Sequence, residues 1–173
     1  MKKVLILIFF TFFLIPQIGQ STIKKEDSAP DFSLITIDGK IVNLYQFNGK
    51  VIIIEFLSTK CFACDYIIPD INRFYEKFNG EAVQIIGVLF NNEIKNPEKL
   101  REFKKNKGIK YPVFISDSKT KKLYNIFGFP NFFILNDKKK IVQIYRGITN
   151  DMFGLLNKET EKLLRSQLSE NRC

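Results

Sequence analysis

The chain contains no histidine and no tryptophan, and only three cysteines and two methionines in 173 residues. Without histidine there can be no Cys-His protease, no Cys₂His₂ zinc site and no His-ligated copper centre. Three cysteines, two of them only three positions apart, cannot build the disulfide framework of a small secreted domain. No apolar run reaches the ~20 residues needed to span a bilayer. Basic stripes interleaved with aromatics, the footprint of a nucleic-acid surface, are also missing.

What is present is a chain of one-domain length, 45% hydrophobic and 26% charged, which suits a packed core rather than disorder. Eighteen phenylalanines make that core aromatic-rich. The formal charge is +9, or +7 once Lys2 and Lys3 are set aside with the leader described next. The lysines are scattered among acids, as at Lys104-Lys105 and Lys138-Lys139-Lys140, and read as a solvated basic surface with at most a mild attraction to anionic membranes.

Residues 1–21 read as a signal peptide or an uncleaved N-terminal membrane anchor. Lys2-Lys3 supply the positive start, residues 4–15 the apolar stretch, and Pro16, Gln17 and Gly19 end it. No cysteine follows, which argues against a lipoprotein. Either reading places the remainder on the oxidising, extracytoplasmic side of a membrane. Residues 22–28 form a polar linker, and residues 29–173 the domain.

Within that domain Asp38-Gly39 lies between two alternating runs and predicts a β-hairpin over residues 29–44. Residues 51–57 and 83–90 are continuous apolar runs, hence buried parallel strands. Ile67, Ile71, Phe74, Tyr75 and Phe78 recur at helical spacing and predict a helix over 61–78, closed by Asn79-Gly80 and kinked at Pro69. Asn96-Pro97 opens a second helix to about Lys107. A strand at 110–116, a short helix at 119–127, paired strands at 131–135 and 141–145, and a last helix at 151–168 complete the order. The fold class is α/β: a central mixed sheet with helices on both faces and an N-terminal hairpin extension.

The chemistry concentrates in Glu55-Phe-Leu-Ser-Thr-Lys-Cys61-Phe-Ala-Cys64. The cysteine pair falls where a buried strand hands over to a helix N-terminus. Unpartnered backbone N–H groups and the helix dipole there favour a thiolate. Helix starts and Cys-x-x-Cys settings lower a thiol pKa from about 8.5 to roughly 3.5–7.5. The thiolate is the species that attacks a disulfide. Cys61 is therefore the candidate nucleophile, with Cys64 one turn behind it. Lys60, beside the sulfur, either favours the thiolate further or points into solvent. Glu55 is either a buried carboxyl or an acid paired with a lysine at a strand edge; the apolar run before it argues against an edge. Cys173 is either an incidental terminal thiol or one that bridges to another molecule.

Taken together these residues resemble the thioredoxin-fold thiol-disulfide oxidoreductases, in particular the exported TlpA/ResA-like group related to the AhpC/TSA redoxins. The resemblance covers about residues 29–168. It rests on Ala29-Pro-Asp-Phe32, Asp38-Gly39-Lys40, Gly49-Lys50, the pair Cys61–Cys64 with Pro69 five residues beyond, and Gly128-Phe129-Pro130 ahead of an apolar run. It implies a redox-active Cys61–Cys64 disulfide, a cis peptide bond before Pro130, and a buried Glu55 that takes the proton from Cys64. Phe129 and Pro130 would bind the incoming peptide, with Lys60 and Phe62 beside them. It further implies no metal and no cofactor beyond the cysteine pair, disulfide-bonded protein substrates, a membrane thiol carrier as electron donor, and no nucleic-acid partner. The function implied is protein-disulfide reduction, for example in cytochrome c maturation. Lys60 and Phe62-Ala63 depart from the group's usual residues. Two other functions are weighed. A peroxiredoxin-like thiol peroxidase would want Pro-x-x-x-Thr-x-x-Cys, but Ile54 and Ser58 occupy the proline and threonine positions. A non-catalytic binding module would not need an intact cysteine pair.

Overall fold

A computed structural model describes residues 22–170 apart from 79, 81, 91–93 and 95. The leader expected at 1–21, the helix-closing Asn79 and Cys173 lie outside the described residues. Among the described residues no helix is long and apolar enough to cross a membrane.

The elements run β1 (Ser33–Ile35), β2 (Ile41–Asn43), a 3-10 turn (Leu44–Gln46), β3 (Val51–Ser58), α1 (Phe62–Phe78), β4 (Val83–Phe90), α2 (Pro97–Lys107), β5 (Val113–Ile115), α3 (Ser118–Leu123), β6 (Asn131–Asn136), β7 (Ile141–Arg146) and α4 (Met152–Glu170). All seven strands join one sheet in the order β2-β1-β5-β4-β3-β6-β7. β3 pairs in parallel with β4 and antiparallel with β6, so the sheet is mixed, with β3 at its centre. The hairpin β1–β2 is not a separate flap. It extends the sheet through the antiparallel pair Ile35–Ile115.

Strand alternation divides the core in two. From β3, Val51, Ile53 and Leu57 turn to one face with Ile85 and Leu89 of β4, Phe132 and Ile134 of β6, and the inner sides of α1, α2 and α4. Ile52, Ile54 and Phe56 turn to the opposite face with Ile86, Val88, Phe133 and Leu135. That second face is covered by Ile23, Ala29, Phe32 and Leu44 from the N-terminal part and by Tyr124 and Ile126 after α3.

Local signals set several boundaries. Asn96 accepts a hydrogen bond from Lys99 N–H at 2.9 Å, Pro97 is the first helical residue, and Gly108 closes α2 at φ 64°. Asp117 caps α3 in the same way through Thr120 N–H at 3.0 Å. Three expectations shift. β5 is confined to Val113–Ile115, because Pro112 has no N–H to give a ladder. α3 ends at Leu123 rather than 127, since Asn125 takes a left-handed φ of 51°. Residues 22–28 are not a free linker: Ile23 is buried, Glu26 N–H donates to Ile141 O at 2.8 Å, and Ser28 bridges to Lys140. A single apolar side chain and two backbone bonds to β7 are enough to dock so short a segment.

Candidate active site

Residues 51–57 are buried without interruption, so β3 reaches the active-site end of the sheet as a central strand. Residues 58–60 then lead out, and Cys61 stands one position before α1. The two cysteines form a disulfide with a Cα–Cα distance of 5.2 Å. Cys61 is 9% exposed and Cys64 1%. The order matters, because a substrate reaches the outer sulfur first. Cys64 N–H points at Cys61 Sγ, 3.0 Å away. A thiolate at Cys61 would be favoured by this N–H and by the helix dipole. The acid in the first turn of α1 does not oppose this charge freely: Asp65 is paired with Lys107 of α2 at 2.6 Å.

Glu55 is fully buried. It sits on β3 between Ile53 and Leu57, which side by side face the core that contains Cys61 and Cys64. Its strand neighbours are Gly87 on β4 and Phe132 on β6, neither of which offers a charge. Neither carboxyl oxygen has a hydrogen-bond partner among the described residues. Burial therefore pushes its pKa up to about 7, with the Tyr111 phenol acting in the opposite direction. The strand-edge alternative, an acid paired with lysine, is excluded by this environment. Such a carboxyl gives and takes a proton near neutral pH.

The 128–130 loop reaches the same place by register. Asn131 pairs with Phe56, so the loop lies beside the strand end from which residues 57–61 lead to the cysteine. The Phe129–Pro130 peptide bond is cis. Pro130 O accepts from Gly147 N–H at 2.8 Å, and Asn131 Nδ2 donates to Gly128 O at 2.5 Å, which ties the loop at both ends. Phe129 packs partly against the cysteine-bearing core, its ring tilted toward that of Phe90 with centroids 5.9 Å apart and Lys121 above it at 5.4 Å. Lys60 and Phe129 line one groove of about 870 Å³, whose far wall comes from Ser33, Ile35 and Ile41 of the hairpin. Phe62 projects beside the disulfide, 85% exposed.

The fold thus gathers all seven residues singled out in the sequence at one end of β3. Three contributors were not foreseen. Phe127, 92% exposed, flanks the loop. The hairpin supplies a groove wall rather than mere edge cover. Tyr111, buried and without a hydrogen-bond partner, acts on Glu55. No periodic signal links a tyrosine 56 positions away to a carboxyl two strands distant; only the register does.

The pattern of the AhpC/TSA family matches residues 26–144. The thiol-disulfide oxidoreductase ResA of Bacillus subtilis is 27% identical over 130 residues, covering 75% of this chain and 71% of ResA. The structure of StoA from Bacillus subtilis superposes with a TM-score of 0.60 at 23% identity, over 77% of this chain and 96% of StoA. The thioredoxin domain of a thiol-disulfide oxidoreductase from Bacteroides vulgatus superposes with a TM-score of 0.69 at 20% identity, over 80% of this chain and 99% of that domain. The architecture is the thioredoxin-like fold.

Proposed function

The chain belongs to the AhpC/TSA family and carries the thiol-disulfide oxidoreductase chemistry of its ResA-like relatives, and from that premise we propose that it reduces disulfides in proteins outside the cytoplasm. One observation carries the reading: a Cys-x-x-Cys disulfide at a helix start, with a buried carboxyl of pKa about 7 on the same face of the sheet.

The reaction begins from the reduced pair. The Cys61 thiolate attacks one sulfur of a substrate disulfide. A Cys61–substrate bond forms, the substrate S–S bond breaks, and the first substrate sulfur leaves as a thiolate that takes a proton from solvent. Glu55 accepts the proton of Cys64. The Cys64 thiolate then attacks Cys61 Sγ, the mixed disulfide breaks, and the second substrate sulfur leaves. Two electrons pass to the substrate, and the enzyme ends with the Cys61–Cys64 disulfide. The backbone at Phe129 and Pro130 offers an edge on which an extended substrate segment can lie, as in strand addition. Lys60 and Phe62 flank that segment. Electrons return from a membrane thiol carrier, and cytochrome c maturation is the kind of process such a reductant serves. The leader at 1–21 provides export or anchoring.

The reduction potential of the Cys61–Cys64 couple tests the direction. A value near the reducing end of this fold, about −270 mV, is expected; one near −120 mV reverses the assignment to oxidant. Cys64→Ser should trap substrates as mixed disulfides on Cys61. Rapid consumption of hydrogen peroxide by Cys61 would instead point to a thiol peroxidase.

A further inference from the structure

Tyr111 and Glu55 are brought together by backbone register. Glu55 on β3 is level with Gly87 on β4, and Gly87 is level with Val113 at the start of β5. Tyr111 stands two residues before Val113. Its ring lies across β4 at the glycine: a Cβ placed on Gly87 would be 3.1 Å from Tyr111 Cε2 and 3.0 Å from Val113 Cγ2. Any side chain at position 87 would crowd the ring. The phenol is fully buried, as is the carboxyl.

Both groups are polar orphans. Neither the Tyr111 hydroxyl nor either Glu55 oxygen has a hydrogen-bond partner among the described residues. Each group shifts the proton affinity of the other. A buried phenol normally finds an acceptor, because leaving it without one costs free energy. Here the acceptor within its influence is the carboxyl of Glu55.

We propose that Tyr111 is a positioning residue: its phenol, reaching over Gly87, donates its O–H to the Glu55 carboxylate and holds that carboxylate on the cysteine face of the sheet. This rests on the role given to Glu55 above and adds what governs it. A donor to the charged form favours that form, so Tyr111 offsets part of the burial effect. The other groups turned to this core region do not compete. β4 and β6 present Gly87 and Phe132, α2 and α4 present Leu100, Met152 and Leu156, and α1 with the residue before it presents Cys61, Cys64, Ile67 and Ile68. The remaining titratable groups there are the cysteines, which carry no proton in the disulfide, and the partly buried Tyr75 of α1 and Tyr145 of β7, neither of which is among the groups that shift Glu55. Lys104 of α2, half-buried and with its pKa lowered by burial, is not among the groups that shift Glu55.

The test follows the Glu55 side-chain carboxyl carbon by NMR as the oxidised protein is titrated. In Tyr111→Phe the midpoint should rise by about one pH unit, the size expected for loss of a hydrogen bond to a charged group. In the unaltered protein the Tyr111 ring carbon bonded to oxygen should report the same midpoint as Glu55. An unmoved midpoint in Tyr111→Phe, or a flat Tyr111 signal through the Glu55 transition, overturns the inference. The release of the mixed disulfide should slow about fivefold at pH 7 in Tyr111→Phe and recover at higher pH. If Glu55→Gln leaves that release and its pH profile untouched while the NMR midpoint still moves with Tyr111, the proton-acceptor role of Glu55 falls and the Tyr111–Glu55 pairing stands.

Discussion

The two faces of the sheet are built from alternate residues of the same strands, and each buries one large tyrosine completely. On the face away from the cysteines, Tyr124 donates its O–H to Pro30 O at 2.6 Å and its ring packs at 4.9–5.2 Å from Phe56, Phe32 and Phe133. Burial pushes its phenol well up, but the group is satisfied. On the cysteine face, Tyr111 and Glu55 have only each other among the described residues. The first face is finished in the way a stable core is finished, apolar rings plus one closed hydrogen bond. The second leaves a titratable pair unclosed inside the same low-dielectric medium. Unclosed buried polar groups destabilise a fold, so their presence beside a redox disulfide marks the face that does chemistry.

Substitutions can break this contrast or sharpen it. Cys61→Ser should bring disulfide exchange to the uncatalysed rate while leaving the unfolding transition of the reduced protein nearly in place; retained exchange would remove the cysteine face from catalysis. Phe56→Ala acts on the other face. It empties the centre of the ring cluster and should cost about 3–5 kcal/mol in denaturant unfolding, with the exchange chemistry of the remaining folded protein unaltered.

Glu55→Gln tests the unclosed charge through pH. The ordinary carboxyl titrates near 4.5 and Glu55 at about 7, so in that window the folded protein holds a proton that the unfolded chain has released. Wild-type stability must therefore fall as pH rises from about 4.5 to 7 and level off above, by on the order of 3 kcal/mol. In Glu55→Gln that fall should vanish; parallel stability–pH curves for the two proteins would show that burial does not raise the pKa of this carboxyl above its unfolded value.

Smaller effects separate the two tyrosines. Tyr124→Phe removes a donor from Pro30 O and should cost about 1 kcal/mol, leaving exchange rates alone. Tyr111→Phe should change stability least of all at low pH, where Glu55 is neutral and no bond is lost. Equal losses from both substitutions at pH 5 would erase the distinction between the faces.

Much of this was legible in the chain. β3 and β4 were read to within a residue because each is a continuous apolar run, and α2 because Asn96 and Pro97 mark its start. The cysteine pair, Glu55 six positions before it and the Gly-x-Pro loop were read from spacing and resemblance. Short elements were harder: β5 has three residues and α3 six, too few for a period to show, and their limits are set by Pro112 and the left-handed Asn125. The docking of residues 22–28 escaped because Ile23 is one apolar residue among polar ones.

By itself the amino-acid order determined a reactive sulfur pair at a strand-to-helix junction and an acid in an apolar strand, since both follow from local pattern and helix-end electrostatics. Tertiary structure alone decided which face of β3 the acid occupies, that its neighbours at 87 and 132 offer it no charge, and that Tyr111 stands over Gly87. The reason is physical: proton affinity depends on what surrounds a group in space, and those surroundings come from strands that are remote along the chain.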